Sequence, residues 1–176
     1  MKETYYFAYG SNMNLDQMKY RCPDAEVVEN VRLEGYRLAF CGRPRGSGVA
    51  TILPEEGSHV DGVLWKITEK CERSLDLYEG YPQLYGKEEI CVKNVAGKER
   101  SVMVYTMNAP YKDQPSLPSQ FYLTGILEGC HQNQLPVKNV TDALVRTRKE
   151  VGKELKGQKK ESVSYTHLTL PTTPYV

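Results

Sequence analysis

The sequence lacks the long apolar segments that place a protein in or across a membrane. No hydrophobic run approaches the ~20 residues that a transmembrane helix needs. Met1 is followed by Lys2 and Glu3, whereas a signal peptide would continue into an apolar core and a small-residue cleavage site. We therefore expect a soluble, cytoplasmic protein that makes no membrane contact.

The sequence also has few of the residues that build metal and disulfide sites. Its five cysteines are odd in number and widely spaced, and there is no CxxC pair and no paired spacing among the three histidines. A zinc site or a disulfide framework needs such pairs. We interpret the cysteines as reduced and mostly buried, and we predict no metal.

Strong charge of either sign is missing as well, since the formal net charge is +1. Residues 146–161 carry seven Lys or Arg and three Glu, so the remainder of the chain is mildly acidic. Because binding to a phosphate backbone requires clustered Lys and Arg, we expect no nucleic-acid partner. In the basic segment, apolar residues recur at helical spacing, which favours a solvated amphipathic helix over a nucleic-acid or membrane contact.

Length and composition indicate how the chain is divided. A chain of 176 residues normally forms one domain. We predict a globular domain over residues 1–140 and a charged C-terminal helix over residues 141–162. The segment 163–176 contains no charged residue, four Thr and two Pro. This break in composition indicates a non-native tail.

Strand-like segments predominate between these ends. Segments rich in β-branched and aromatic residues lie at 4–9, 25–41, 49–53, 60–67, 88–95 and 101–107. The turn residues Pro54-Glu-Glu-Gly57 and Ala96-Gly97-Lys98 each predict a hairpin. The pattern predicts an α+β fold with about six strands curled into a barrel-like sheet and helices at its side.

Three helices are predicted from capping signals. Asn14 opens a short helix that Pro23 ends, and Thr68 caps a second helix over residues 69–78. A third helix begins near Pro118, a residue suited to a first helical turn, and ends at Gly129.

The segment YYFAYGSNMN is a strand that stops at Gly10 and becomes a polar loop. A glycine there allows positive φ and close backbone approach, so that the N–H groups of Ser11, Asn12 and Met13 face one anion or oxyanion. A phosphate loop would have more glycines and a Lys, and a Ser11 nucleophile would need an elbow motif and a His base. A plain capped turn between strand and helix remains the alternative.

A second chemical feature is Glu79, in LDLYEGYP. It closes a helix just before Gly80, where the helix macrodipole disfavours an anion. If Tyr78, Tyr81 and Tyr85 shield the carboxylate, loss of solvation raises its pKa towards neutrality, which suits a residue that takes and returns a proton. The alternative is an ordinary exposed Glu at a helix end.

Eight short motifs resemble, in this order, those of the γ-glutamylcyclotransferase family and its AIG2-like relatives. They are YGSNMN, RCPDA, LEGYRLAF, GVATILPEEG, GVLWKIT, LDLYEGYP, VMVYTMN and PSQFY, followed by a closing LP. The resemblance covers about residues 5–136. It implies a small mixed β-barrel with flanking helices, in agreement with the strands identified above.

The resemblance also implies an enzyme that releases 5-oxoproline from a small γ-glutamyl compound and needs no cofactor. Glu79 matches the family's catalytic carboxylate. The residues that match the substrate-binding positions are Tyr9, Gly10, Ser11, Asn12, Met13, Tyr105 and Tyr122. The leaving amine or amino acid and the oligomeric state are left open by the sequence. A non-catalytic module that binds small molecules or peptides on the same fold is the alternative, and an interaction protein that uses the basic C-terminal helix is a third.

Overall fold

The computed structural model describes residues 3–42 and 47–161, and it has five strands and four helices over these residues. In chain order they are β1 (Glu3–Ala8), α1 (Leu15–Arg21), β2 (Glu26–Cys41), β3 (Val49–Thr68), α2 (Glu69–Glu79), β4 (Tyr85–Lys93), β5 (Glu99–Met107), α3 (Gln120–Gln132) and α4 (Lys138–Glu161). Short 3-10 turns lie at Ser11–Met13 and Tyr111–Asp113.

The strands form a closed barrel in the order β1-β3-β2-β4-β5. All neighbours are antiparallel except β5 and β1, which close the barrel in parallel with Tyr6 opposite Met103. β-branched and aromatic side chains pack into the core, where Phe7, Val63 and Val104 are fully buried. The predicted α+β fold, a small mixed barrel with flanking helices, is confirmed.

One predicted hairpin is wrong, and this is why the described residues hold five strands and not six. Pro54-Glu-Glu-Gly57 lies within β3, which pairs with β2 on both sides of it: Pro54 faces Tyr36 and His59 faces Glu34. β2 adapts at Gly35, whose φ of 81° places it in the left-handed region that glycine tolerates. The segment Pro54-Glu-Glu-Gly57 is therefore part of a bulge within the single hairpin that β2 and β3 form. The hairpin predicted at Ala96-Gly97-Lys98 is confirmed and joins β4 to β5.

Two helices start at their predicted caps, whereas Pro118, expected in the first turn of the third helix, precedes the cap of that helix. The Asn14 side chain accepts hydrogen bonds from the backbone N–H groups of Asp16 and Gln17, and Thr68 accepts one from Cys71. The third helix begins one residue beyond its cap, Ser119, which accepts from the N–H of Tyr122. These bonds satisfy N–H groups that a helix leaves open at its start.

The C-terminal helix α4 packs on β2 through buried Val140, Ala143 and Thr147. The domain boundary near residue 140 stays a prediction, and the predicted non-native tail, 163–176, lies outside the described residues. Four of the five unpaired cysteines are buried and Cys91 is exposed. Within residues 3–42 and 47–161, none of the helices has the length and apolar character required to cross a lipid bilayer.

Candidate active site

The loop after β1 brings the backbone close to its neighbours. A Cβ built on Gly10 would lie 3.2 Å from the Cβ of Ala50 and 3.5 Å from the hydroxyl oxygen of Tyr122. The φ of Gly10 is −121°, so the expectation of a positive φ is wrong and close approach alone accounts for the glycine.

The loop is held in place by hydrogen bonds that other parts of the fold donate to its carbonyl groups. The indole N–H of Trp65 donates to the carbonyl oxygen of Asn12 at 3.0 Å, and the side chain of Asn133 donates to that of Met13 at 2.7 Å. Both carbonyls are therefore engaged on the side of the core, and the backbone of the loop is fixed from two other parts of the fold. A loop fixed in this way is preorganised for a ligand.

The N–H groups of the loop differ in their availability. The Met13 N–H donates to the carbonyl oxygen of Gly10 at 3.0 Å. Those of Ser11 and Asn12 precede this first bond of the 3-10 turn, and they have no hydrogen-bond acceptor within the described residues. Two adjacent donors are thus available at the loop, where the sequence analysis expected three.

A cleft with about 280 Å³ of empty space adjoins this loop. Its lining consists of Tyr6, Tyr9, Gly10, Ser11, Asn12, Ala50, Glu79, Tyr85, Tyr105 and Tyr122. Seven of the eight predicted site residues lie together here. The eighth, Met13, is outside the lining and is buried with 1% of its surface exposed.

Tyr6 and Ala50 line the cleft and were not predicted from the sequence. For Tyr6 the sequence contains one signal, namely 13 tyrosines against three phenylalanines, and for Ala50 it contains none. Phenylalanine would suffice on a strand face that only packs against apolar groups. The excess of tyrosine therefore indicates that several of these hydroxyl groups form hydrogen bonds.

Glu79 is the last residue of α2, and Gly80 ends the helix with a φ of 67°. Its Oε1 atom accepts a hydrogen bond from the side-chain nitrogen of Asn12 at 3.2 Å. Burial among the tyrosine rings raises the pKa of Glu79 from its ordinary value to about 7, and the positive charge of Arg21 offsets part of this rise. A carboxyl group that titrates near neutrality can both accept and donate a proton at physiological pH.

The groups that shield Glu79 differ in part from those expected. Tyr85 is buried and lines the cleft, as predicted, but Tyr78 and Tyr81 are 43% and 38% exposed. Tyr6 of β1 and Tyr9, which directly follows β1, provide buried rings beside the carboxylate in their place.

Asn12 connects Glu79 to Arg21. The Arg21 Nη1 atom donates to the Asn12 side-chain oxygen at 2.6 Å, and its guanidinium lies 3.6 Å from the centre of the Tyr78 ring. Because a guanidinium has only donors, the amide oxygen of Asn12 must face it and the amide nitrogen must face away. That nitrogen donates to the hydroxyl of Tyr6 at 2.9 Å and to Glu79.

Five tyrosine hydroxyls near the cleft divide into two groups. Tyr9 donates to the carbonyl oxygen of Tyr105 at 2.7 Å, Tyr105 donates to Asp76 at 2.6 Å, and Tyr85 donates to the carbonyl oxygen of Ala50. These three hydroxyls are committed within the protein.

The hydroxyls of Tyr6 and Tyr122 are acceptors instead. Tyr6 accepts from Asn12, and Tyr122 accepts from the backbone N–H of Ala50 at 3.0 Å. No protein acceptor for either hydroxyl hydrogen exists within the described residues. Burial raises the pKa of both phenols above the usual range, which keeps them neutral. Each can therefore donate a hydrogen bond to a ligand.

Cofactor and metal ligands were sought in the same region. Among the residues that the structure describes, no group of three or more His, Cys, Asp or Glu side chains is arranged to hold a metal ion. The cleft instead offers one carboxyl group, two backbone donors and two phenolic donors.

Residues 6–124 match the family model described as gamma-glutamyl cyclotransferase, AIG2-like. The chain belongs to the γ-glutamylcyclotransferase family. This is a family of enzymes. Among its relatives, the gamma-glutamylcyclotransferase of Bos taurus is 36% identical over 141 residues, which cover 76% of this chain and 73% of the relative. The Homo sapiens protein of the same name is 35% identical over the same shares.

A solved structure described as gamma-glutamyl cyclotransferase superposes with a TM-score of 0.70 at 33% sequence identity. The superposition covers 78% of this chain and 83% of the other. The structural similarity therefore extends over most of this chain and most of the solved structure.

Proposed function

We propose that the tyrosine-lined cleft is the active site of a cyclotransferase that acts on a γ-glutamyl compound. In the reaction, the α-amino group of the substrate attacks its own γ-carbonyl, and 5-oxoproline and an amine or amino acid are released. The observation that carries the proposal is the position of Glu79: a carboxyl group with a pKa of about 7 faces the same cleft as the loop of Gly10, Ser11 and Asn12.

The substrate itself contains the nucleophile, so the protein need not provide one. Its first task is to fold the γ-glutamyl chain so that the α-nitrogen approaches the γ-carbon, which makes the attack intramolecular. The five tyrosine rings and the Gly10 loop that line the cleft provide walls against which the γ-glutamyl chain can fold. This agrees with the position of Ser11, whose hydroxyl lies 3.0 Å from that of Tyr78 and forms no hydrogen bond to a His or carboxylate base within the described residues.

The second task is to stabilise the negative charge that develops on the carbonyl oxygen. The backbone N–H groups of Ser11 and Asn12 are adjacent donors on a loop that is fixed by a hydrogen bond from Trp65. Donors placed in advance at the position of the developing charge are a large source of catalysis. The free hydroxyl hydrogens of Tyr6 and Tyr122 are suited to orient the remaining polar groups of the γ-glutamyl unit.

The third task is proton transfer, which we assign to Glu79. In its ionised form the carboxylate accepts a proton from the α-ammonium group, and the amine then forms the new C–N bond. When the tetrahedral intermediate breaks the original C–N bond, the carboxyl group donates a proton to the leaving nitrogen. The α-nitrogen loses a second proton as it becomes the lactam nitrogen, and the carboxylate passes this proton to the released amine in the same way. Across the reaction the α-nitrogen loses two protons and the leaving nitrogen gains two, so Glu79 ends in its starting state.

The experiment that tests the proposal is incubation of the protein with a panel of γ-glutamyl amino acids and γ-glutamyl amines. We expect release of 5-oxoproline, measured by mass spectrometry, from at least one member, together with a stoichiometric amount of the free amine. Binding of panel members without any 5-oxoproline would favour the non-catalytic binding module and contradict the proposal.

A further inference from the structure

A second cleft opens beside the first and shares three residues with it. It has about 610 Å³ of empty space and shares Glu79, Tyr85 and Tyr122 with the smaller cleft. The additional residues of its lining are Ser47, Val49, Tyr78 and Leu84. The two clefts are therefore adjacent and share the residue that we assign to proton transfer.

We infer that this second cleft holds the leaving group of the substrate and that it selects leaving groups with uncharged hydrocarbon side chains. The inference rests on the proposed function and adds the chemical class of the substrate.

The direction of the reaction places the leaving group there. Ser11 and Asn12, whose backbone N–H groups are available as donors, line the smaller cleft and not the larger, so we place the γ-carbonyl oxygen on that side. Glu79 must reach both the α-nitrogen and the leaving nitrogen, and it lines both clefts. The substituent on the leaving nitrogen therefore extends past Glu79 into the larger cleft.

The walls of the larger cleft determine which substituents it favours. Val49 and Leu84 provide aliphatic surface, and Tyr78, Tyr85 and Tyr122 provide aromatic rings. Contact with such walls favours apolar groups in proportion to the surface removed from water. A hydrocarbon chain of four carbons gains from this contact.

The same walls disfavour a cationic chain. Of the described residues that line this cleft, Glu79 is the only one with an ionisable carboxyl group, and an ammonium paired with it would hold it in the ionised state and obstruct proton return. A charged group placed against apolar walls without a partner loses solvation that nothing replaces. A terminal ammonium on the leaving group should therefore reduce the rate.

Two substrates with the same hydrocarbon chain test the inference. γ-Glutamyl-norleucine and γ-glutamyl-lysine linked through the α-nitrogen carry the same γ-glutamyl unit, the same α-carboxylate and the same four-carbon chain, and only the second has a terminal ammonium. We expect kcat/KM for 5-oxoproline release to be at least about tenfold higher for the norleucine compound.

The outcomes separate the two proposals. Turnover of both compounds at equal rates, or a preference for the lysine compound, would overturn the leaving-group inference and leave the proposed function intact. No 5-oxoproline from these or from any other γ-glutamyl compound would overturn the proposed function.

A substitution places a charge in the cleft and extends the test. Leu84→Glu provides a second carboxylate among the walls, and we expect the preference for norleucine over lysine to fall by about tenfold or to reverse. Leu77→Glu, at a position of α2 that is 85% exposed and outside the cleft, is the matched control and should leave the preference unchanged.

Leu84 and Val49 both pack partly against the core, so Val49→Glu places the same charge at an independent position and both variants are checked for folding. If both variants fold, as judged by circular dichroism, and neither changes the preference, the walls identified here do not contact the leaving group.

Discussion

Asn12 is the residue whose role differs most from its role in the sequence analysis. The sequence assigned it a backbone N–H for the ligand, and its side chain proves to hold three other groups. Its amide oxygen accepts from Arg21, and its amide nitrogen donates to Tyr6 and Glu79. A change at Arg21 is therefore transmitted to the orientation and the ionisation of Glu79.

Replacement of Arg21 by Met tests this connection. Arg21 lies outside the cleft and lowers the pKa of Glu79 by its charge. The groups that face Glu79 from β1, β4, β5 and α3 are neutral tyrosines, so no other cation of the lining takes over. Without the guanidinium the ionised form is less favoured and the pKa rises. Since Glu79 must be ionised to accept the first proton, we expect the acidic limb of the kcat/KM profile, near pH 7 in the wild type, to move up by about half to one unit.

The measurement is the pH dependence of 5-oxoproline release between pH 5.5 and 9. Arg73→Met removes the same charge from an exposed position of α2 and should leave the acidic limb in place. Arg21→Lys retains the charge and should restore most of the wild-type profile. A uniform loss of rate in Arg21→Met with an unmoved limb would mean that Arg21 only supports the local structure.

At the scale of elements, the site depends on a short 3-10 turn held between β1 and α1. Trp65 comes from β3 and Asn133 follows α3, and they fix the two carbonyls of the turn. Asn14 adds a third connection, because its side chain caps α1 and donates to the carbonyl oxygen of Gly125 in α3 at 2.9 Å. The direction of the loop N–H groups is therefore set by neighbours and not by the loop itself.

Two substitutions in this turn separate backbone position from side-chain chemistry. Gly10→Val places branched carbons where even a Cβ would lie 3.2 Å from Ala50, so the loop and Tyr122 must move apart. Ser11→Ala removes one hydroxyl that contacts Tyr78. We expect kcat/KM to fall by at least about 100-fold in the first variant and by less than about tenfold in the second.

Rates of 5-oxoproline release and the thermal midpoints of both variants check this prediction. A folded Gly10→Val protein with a smaller loss than Ser11→Ala would show that the serine hydroxyl takes part in the reaction.

At the scale of the whole molecule, local features could be predicted from the sequence. The caps Asn14 and Thr68 and the αL residue Gly80 each depend on a few neighbouring residues, and the short-range patterns around them locate α1 and α2 well. Glu79 could be selected for the same reason, because its unfavourable place at a helix end is visible in the sequence.

Two features could not be predicted, because they depend on distant parts of the chain. Tyrosines from β1, β4, β5 and α3 line the cleft. These elements lie close together only because the parallel contact of β1 with β5 closes the barrel. Likewise, Pro54-Glu-Glu-Gly57 has the composition of a turn, and only the pairing of β3 with β2 on both sides keeps it within one strand. Long-range pairing therefore overrode a local turn signal.

The central claim is that a single carboxyl group, brought by the fold to the Gly10 loop, carries the proton of the cyclisation. The most direct test is the turnover of Glu79→Gln with the best substrate of the panel. Glutamine retains the shape of the side chain and an oxygen that accepts from Asn12, but it cannot carry a proton. We expect substrate affinity, measured by calorimetry, to change little.

We expect kcat for 5-oxoproline release to fall by about 100-fold to 10,000-fold. Glu69→Gln, an exposed position on the same helix, is the control and should retain wild-type turnover. Wild-type turnover in a folded Glu79→Gln protein would contradict the assignment of Glu79, and with it the account of this cleft.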